Sequence, residues 1–575
     1  MQNDAVLTQP KKRRGLPPAA KWALALLAAL GAAAALVYYW RVFYSYGQYP
    51  FAHIPAGVLT ALLCGIAALS VGLAWALPRF VHSFSLRAAA VIFCVGLLFV
   101  FIDPPFQVPD EAQHYLRAYS ISQGHFDFDA TRTYPADVQA LNKVFRIAWT
   151  SAHDGAAVKG RTDGRLENPT PADVVRGECI SNHYVDYANL LAGEEKTVAY
   201  YGDPAKGSVT EPAQFTILPL LPQAAGIGLA RLLGFTALGQ LYGGRMANLL
   251  FYAFLCWAAL KNCRRYRPVF LAVMLLPLSL FLAGSCSYDA MMLGLYFFAA
   301  SYFCKDEITN RDIWLFAGCI ALMCSSGKYN NLLWAVLPFV LPRRAWKTTF
   351  RKWQAAVVVL AAAVLLYGGM TLYNTIAITR NFDVFDASGE VVRTTAGADT
   401  KAQALFMLQN PLRTLAVFWG TLFENDFFVL QLGVLGNMDL SIPVLNGGSA
   451  LVLLLGSALS VHQKSSLTPR SCFGLLGLAA LYTGSVLAGL YVSYTPVGMV
   501  RVIGLQPRYF LPAFLMLFIL LAALLSHVLA PSDSGRGTAR AVELGLGVSV
   551  LFGLAGALLL FQYYFVGPVA IVPLA

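Results

Sequence analysis

Long apolar segments dominate this sequence, and they decide what the chain can fold into. A helix that crosses a bilayer needs roughly 20 apolar residues, within a range of about 17–25. The hydrophobic share is 57% and the charged share only 13%, against about 45–50% and about 25% in soluble domains. The chain is therefore predicted to be an all-α polytopic membrane protein. Single predicted spans lie at 22–40, 54–77, 87–103, 241–260, 354–376, 444–462, 471–491, 509–530 and 541–566.

Two longer apolar stretches are interpreted as pairs of spans. Residues 268–304 and 312–342 each have basic residues at both ends. Because basic residues concentrate in cytoplasmic loops, each stretch is expected to enter and leave the membrane on the same side. The turns then fall at 284–289 and at 325–328, on the external side. The total is about 13 transmembrane helices, with a cytoplasmic N-terminus after the basic residues 11–14 and an external C-terminus.

Two long polar segments separate the groups of spans. The first follows the third helix and is too long for a simple connector, so it is predicted to be a large folded external loop. Within it, residues 214–239 are interpreted as a helix at the external interface, since a full span there would put the basic loop 261–267 outside. The predicted parts are the first three spans in 1–103, the external loop with an acidic motif and the interfacial helix in 104–240, the central spans in 241–376, a second external loop in 377–443, and the C-terminal spans in 444–575.

The net charge of +12 does not point to nucleic acid. No basic run lies beside an aromatic platform, and no nucleic-acid-binding module is recognisable. The basic residues lie mainly in short loops between apolar segments, as the positive-inside rule predicts. We therefore expect membrane lipids among the partners and no nucleic acid.

The segment after the third predicted span carries an acidic motif, Pro109-Asp110-Glu111, followed by His114 and Arg117. One interpretation is structural, because proline and acidic residues are favoured in the first turn of a helix. The other is chemical: a carboxylate at the membrane surface can act as a general base or a metal ligand. Nothing in the local sequence decides between them.

Three other charged residues fall at predicted external turns or boundaries. Asp289 is either a helix cap or a functional carboxylate at membrane depth. Lys328 either reaches towards the surface or binds a lipid phosphate. Arg508, beside Tyr509, is either an interfacial anchor or a guanidinium that grips phosphate. Cations at this depth suit the binding of a phosphate-bearing lipid, and an acid beside them can accept the proton of an incoming hydroxyl group.

Several strings resemble a known family of bacterial membrane proteins, domain of unknown function 2142. They are VPDEAQHYLRAYSISQG, GSCSYDAMM, SSGKYNN, LGVLGNMDLSIP and GLQPRYFLP, and the resemblance runs from about residue 90 to about residue 530. That family is in turn similar to the GT-C superfold of glycosyltransferases. The Pro-Asp-Glu motif resembles that of aminoarabinose transferases and protein mannosyltransferases, in which the acidic residue acts as a base or orients the acceptor.

The resemblance implies a GT-C-like fold and glycosyl transfer on the external face of a bacterial inner membrane. The donor would be a polyprenyl-phosphate sugar, and the acceptor a polysaccharide, lipid or protein of the cell envelope. No metal is required, although a divalent ion would find ligands in Asp110, Glu111 and Asp289 if these converge. The alternatives are a transporter or flippase of a lipid-linked saccharide and a non-catalytic envelope scaffold. The predicted catalytic residues are Asp110 and Glu111, and the predicted substrate-binding residues are His114, Arg117, Asp289, Lys328, Arg501, Gln506, Arg508 and Tyr509.

Overall fold

The structure, a computed structural model, covers the part of the chain that follows the first two predicted spans. The predicted spans 22–40 and 54–77 and most of the first polar segment lie outside the described residues. The described residues are 81–103, 105–127, 132, 134–139, 141, 217–263, 265–381, 399–423, 430–436, 440–462, 465, 467–529 and 535–565.

This part of the chain is almost entirely helical. The first helices are α1 (Phe84–Ile102), α2 (Glu111–Ser122), α3 (Leu221–Leu232), α4 (Ala237–Asn262), α5 (Arg267–Met274), α6 (Pro277–Ala283), α7 (Asp289–Ser301) and α8 (Asn310–Cys324). The next are α9 (Leu337–Val340), α10 (Lys352–Asn381), α11 (Thr400–Gln409), α12 (Pro411–Phe423), α13 (Pro443–Leu459), α14 (Pro469–Ser493), α15 (Leu511–Leu529) and α16 (Gly535–Phe565). Short 3-10 segments lie at Leu218–Leu220, Tyr302–Cys304, Tyr329–Val336, Arg343–Ala345, Ser460–His462 and Pro507–Phe510. Strands β1 (Val434–Leu435) and β2 (Leu440–Ser441) pair antiparallel.

Five helices of the described part are long and apolar enough to cross a membrane. They lie at Phe84–Ile102, Lys352–Tyr373, Pro469–Ser493, Pro507–Leu529 and Gly537–Leu560. Each corresponds to a predicted span, so the all-α membrane architecture is confirmed at this level. The total of 13 spans and the GT-C fold stay predictions.

The turns within the stretches 268–304 and 312–342 lie where the flanking basic residues predicted them. Residues 284–288 separate α6 from α7, and residues 325–328 follow α8. Neither stretch is built from two regular helices, however. The first half of 268–304 is divided into α5 and α6 at Pro277, which has no N–H to donate. The second returning segment is a 3-10 helix, Tyr329–Val336, followed by the short α9, where a regular span was predicted.

Helix α3 has 12 residues, fewer than the roughly 20 that a span needs. Its length thus agrees with the non-spanning helix predicted within 214–239. It lies very close to α4: a Cβ atom added at Gly226 would be 2.2 Å from the Gly243 carbonyl oxygen. The absence of a side chain at Gly226 therefore sets the distance between the two helices.

Helix α4 packs against α1, α3 and α7, and α7 also packs against α6, α8 and α15. This arrangement brings one end of several helices together. The end of α1, the start of α2, the turn before α7, the turn after α8 and the 3-10 turn before α15 meet there. The predicted site residues lie mostly on these five segments.

Candidate functional site

The backbone before α2 has an uncommon conformation. Phe106 and Asp110 have positive φ angles of 64° and 63°, in the left-handed region that non-glycine residues rarely adopt. Such residues cost about 1–3 kcal/mol each and persist only where their surroundings hold them. The backbone N–H of Phe106 donates to Glu111 Oε2 at 3.0 Å, so the Glu111 side chain supplies part of that support.

Glu111 and Arg245 form a fully buried ion pair, which we call the Glu111–Arg245 clamp. Arg245 Nε donates to Glu111 Oε1 at 2.8 Å, and Nη2 donates to Oε2 at 2.7 Å. The backbone N–H of Cys286 also donates to Oε1, at 2.8 Å. The clamp therefore joins the loop before α2, helix α4 and the turn before α7.

The remaining donors of Arg245 bind the end of α1. Its Nη1 donates to the carbonyl oxygens of Val100 and Asp103, at 3.1 and 2.6 Å, where a cation is favoured by the helix dipole. Asp103 Oδ2 lies 3.6 Å from Nη2. Both oxygens of Glu111 thus accept hydrogen bonds, and its side chain has no exposed surface. We therefore assign Glu111, which was predicted as a catalytic residue beside Asp110, to support of the loop before α2.

Asp110 is directed away from this clamp. It precedes α2, yet its side chain makes no cap hydrogen bond to the helix. Its Oδ2 accepts instead from Arg508 Nη2 at 3.0 Å, and 40% of the side chain is exposed. The helix-cap interpretation of Asp110 therefore does not hold, and the carboxylate is accessible to a reactant.

Arg508 links Asp110 to two further charges. Its Nε lies 3.0 Å from Asp289 Oδ2, and Lys328 Nζ lies 3.5 Å from Asp289 Oδ1. We call Asp110, Arg508, Asp289 and Lys328 the charged row. These residues are far apart in sequence, and the predicted topology puts all four on one face.

The charged row has unused binding capacity. Arg508 is buried, and its Nη1 atom has no hydrogen-bond partner within the described part of the chain. A buried guanidinium N–H without an acceptor is costly, and a planar fork of donors fits a phosphate or carboxylate. An anionic ligand beside Arg508 would satisfy it.

Aromatic rings surround the cations of the row. Lys328 Nζ lies 4.9 Å from the Tyr288 ring centre and 5.4 Å from that of Tyr509, and the Arg508 guanidinium lies 5.2 Å from the Tyr509 ring. The His114 ring contacts Tyr288, with 4.5 Å between ring centres. Burial, together with the charges of Lys328 and Arg508, lowers the pKa of His114 to about 4 against the opposing effect of Asp110 and Asp289. His114 is therefore neutral at neutral pH.

The charged row opens into a cavity of about 240 Å³. Asp289, Lys328 and Arg508 line it together with Tyr509, whereas Asp110 is not among its lining residues. The other walls are mainly apolar and come from α7 and α14; they include Met292, Leu293, Val486 and Leu490. A ligand with an anionic group and an apolar extension would match this distribution.

Three other predicted binding residues have different surroundings. Arg117 donates to the backbone carbonyl oxygens of Phe126 and Asp127, at 2.8 and 2.9 Å, so it holds the chain that follows α2 instead of facing the cavity. Arg501 is exposed on the loop after α14 and does not line the cavity. Gln506 borders a narrow crevice beside Pro109 and Arg508, at the edge of the site.

Arg245 and two tyrosines of the cavity wall were not predicted from the sequence. Arg245 is the one charged residue in the predicted span 241–260. A charge inside the membrane is energetically costly, and this alone marks Arg245 as a functional or structural candidate. Tyr296 and Tyr482 both line the cavity, with their ring centres 5.9 Å apart. Tyrosines in apolar spans give no such signal, because they are common in packed helices.

The three acids proposed for a divalent ion do not converge. Glu111 is bound by Arg245, whereas Asp110 and Asp289 flank Arg508. Among the residues that the structure describes, no group of three histidine, cysteine, aspartate or glutamate side chains could hold a metal ion.

Residues 93–517 match the model of the family described as "Predicted membrane protein (DUF2142)". The match covers well over half of the chain, and it includes the whole charged row. The chain therefore belongs to this family of predicted membrane proteins. No curated protein and no solved structure was found to match it.

Proposed function

We propose that this protein is a GT-C-type glycosyltransferase. It moves a sugar from a polyprenyl-phosphate donor to a cell-envelope acceptor, on the external face of a bacterial inner membrane. The observation that carries the proposal is the cavity lined by Asp289, Lys328 and Arg508 and by mainly apolar walls, with the accessible carboxylate of Asp110 bound to Arg508 beside it. The resemblance of the Pro109-Asp110-Glu111 motif to that of GT-C enzymes supports the same reaction class.

In this proposal the donor phosphate lies against Arg508 and Lys328. The volume of about 240 Å³ is below the roughly 300–1,000 Å³ of pockets for drug-sized ligands. The cavity therefore takes the head group and the first part of the lipid chain, and the rest of the chain stays in the bilayer. Arg508 Nη1 supplies a donor that no described residue uses.

The transfer is a single displacement. The acceptor hydroxyl oxygen forms a bond to the anomeric carbon, and the hydroxyl proton passes to the Asp110 carboxylate. The bond between the anomeric carbon and the phosphate oxygen breaks, and the lipid phosphate keeps the electron pair. Arg508 and Lys328 stabilise the charge that develops on that phosphate. Asp289 holds both cations in place.

Asp110→Asn tests the proposed base. The purified protein receives a labelled polyprenyl-phosphate sugar and a membrane extract, and transfer of label to a new product is measured. Asp127→Asn is the matched control, because Asp127 is an exposed acid of the same polar segment that pairs with Arg132 at 3.1 Å. We expect transfer by the parent and by Asp127→Asn, with a loss of about 10²–10⁴-fold in Asp110→Asn.

Other outcomes assign the protein to another class. If the donor binds and the Asp110→Asn variant transfers at the parent rate, Asp110 is not the base. If the donor binds to every form but no label moves, the transporter or flippase alternative replaces the enzyme. If no form binds the donor, the scaffold alternative remains.

A further inference from the structure

Helices α11 and α12 form a hairpin that buries several polar side chains and exposes large apolar ones. On α12 the buried residues include Thr414 and Thr421, whereas Leu412 and Trp419 are 81% and 69% exposed. On α11 the fully buried residue is Gln403, and Leu408 is 80% exposed. A surface helix in water directs its apolar face inward. Apolar Val417 is buried as well, and Lys401 and Arg413 are exposed. The feature that a water-facing helix would lack is the set of large apolar side chains on the outer side, Leu408, Leu412, Leu415 and Trp419.

The inward polar groups have defined partners in the loop 494–505. Gln403 Oε1 accepts from the backbone N–H of Gly498 at 2.8 Å. Thr421 Oγ1 accepts from the backbone N–H of Val502 at 3.0 Å. Each helix of the hairpin therefore supplies one side-chain acceptor to the loop. This loop leads directly into the 3-10 turn that carries Arg508.

Neither helix is long enough to cross a bilayer. They have 10 and 13 residues, against the roughly 20 that a span requires. Apolar helices of this length with tryptophan and basic residues at their edges are typical of the membrane interface. Trp419 and the exposed Arg413 meet this description.

The exposed apolar face continues onto a membrane-spanning surface. Helix α11 packs against α14, one of the five helices long enough to span. The outward side of α14 is apolar, with Phe473 and Leu481 largely exposed. The loop 494–505 adds the exposed Val497 and Val500 beside the hairpin. Exposed apolar side chains thus lie on the hairpin, on the loop beside it and on the spanning helix that α11 contacts, and a lipid leaflet would cover all of them.

We infer that the α11–α12 hairpin lies in the lipid leaflet and binds lipid through Leu412, Leu415 and Trp419. From that position it holds the loop 494–505 through Gln403 and Thr421. Because this loop leads into the turn that carries Arg508, the lipid leaflet helps to fix the position of Arg508. This inference does not depend on the proposed transfer reaction.

Spin labels test where the hairpin lies. Leu415→Cys is labelled in lipid nanodiscs, with Cys64 and Cys179 replaced by serine; the eight described cysteines are buried. Access of oxygen and of a water-soluble nickel chelate is measured. Leu365→Cys, on the exposed face of α10, is the lipid reference, and Asp127→Cys is the water reference.

We expect the label at residue 415 to match the lipid reference, open to oxygen and closed to the chelate. Access of the chelate equal to that at residue 127 would overturn the inference. So would a label closed to both probes, because that pattern means the face is covered by protein.

Hydrogen exchange tests the link to the loop. Thr421→Val removes the acceptor of Val502 N–H and keeps the side-chain shape. Thr414→Val is the matched control on the same buried face, since the Thr414 hydroxyl donates only to Asn410 within the helical segment. We expect amides 498–505 to exchange about five-fold faster in Thr421→Val, because one neutral hydrogen bond is lost. In Thr414→Val we expect their exchange rates to be unchanged. Equal rates in both variants would overturn the link.

Discussion

The Glu111–Arg245 clamp permits a quantitative test of what holds the site together. Arg245→Met removes the guanidinium and keeps most of the side-chain volume. The substitution deletes two hydrogen bonds to the Glu111 carboxylate and two to carbonyl oxygens at the end of α1. It also leaves Glu111 without its cationic partner in a site with no exposed surface.

Removing one partner of a buried ion pair typically destabilises a protein by about 3–5 kcal/mol, because the other charge stays buried and unpaired. The amides of Phe106 and Cys286 still donate to Glu111, so we expect the lower half of that range. Adding Glu111→Gln to Arg245→Met removes the orphaned charge. The double variant should therefore be more stable than the sum of the two single losses predicts, by about 1–3 kcal/mol.

The assay is equilibrium unfolding in mixed micelles, followed by circular dichroism, for the parent, both single variants and the double variant. Arg470→Met is the control, because Arg470 is exposed at the start of α14 and surface substitutions usually change stability by less than about 0.5 kcal/mol. A loss below about 1 kcal/mol in Arg245→Met, or strict additivity in the cycle, would refute the clamp as the main support of the loop.

Two further predictions concern pH and helix packing. Burial lowers the pKa of His114 to about 4. Below pH 6.5 the unfolded chain therefore binds a proton at this residue that the folded chain does not bind. The free energy of unfolding should fall by about 3 kcal/mol as pH drops from about 6.5 to about 4. His114→Gln should abolish that difference in a pH series of unfolding experiments. Gly226→Ala should destabilise by about 1–3 kcal/mol, since its Cβ would lie 2.2 Å from the Gly243 carbonyl oxygen, whereas the Cβ of Gly228→Ala would lie 3.8 Å from its nearest neighbour. Equal stability of the two glycine variants in thermal unfolding would contradict that packing argument.

Much of the architecture was predictable because charge and length act over whole segments. Basic residues at both ends of 268–304 required an even number of passes, and this placed the turn at 284–289. The same reasoning put Asp110, Asp289, Lys328 and Arg508 on one face, and the structure brings their side chains into contact. Such statements need only hydropathy and the sign of the charge.

The direction of individual side chains was not predictable. Asp110 and Glu111 are neighbours of the same chemistry, yet one binds Arg508 of the charged row and the other forms the clamp with Arg245. The left-handed backbone at Asp110 separates them, and no sequence pattern announces that conformation for an aspartate. Arg117 follows His114 by one turn of α2, but backbone carbonyl oxygens beyond the helix bind its guanidinium.

The buried Arg245 and Arg508 show how satisfied and unsatisfied donors distinguish support from binding. The donors of Arg245 are distributed over Glu111 and two carbonyl oxygens, so it has little left to offer a ligand. Arg508 retains a buried N–H without a described partner. Both are charged and enclosed, and only the second has a reason to bind an anion.

The charge balance of the row then determines how a donor would enter in the proposed reaction. Two acids and two cations leave the row neutral, so a phosphate adds uncompensated negative charge unless a carboxylate withdraws from Arg508. Asp289 is 9% exposed and contacts both cations, whereas Asp110 is 40% exposed and contacts one. Separating Asp110 from Arg508 therefore costs less free energy than separating Asp289, because water can solvate the charge of Asp110. Binding of the phosphate would release the base at the moment when the acceptor needs it, and it would leave Asp289 to hold the cations that receive the leaving group.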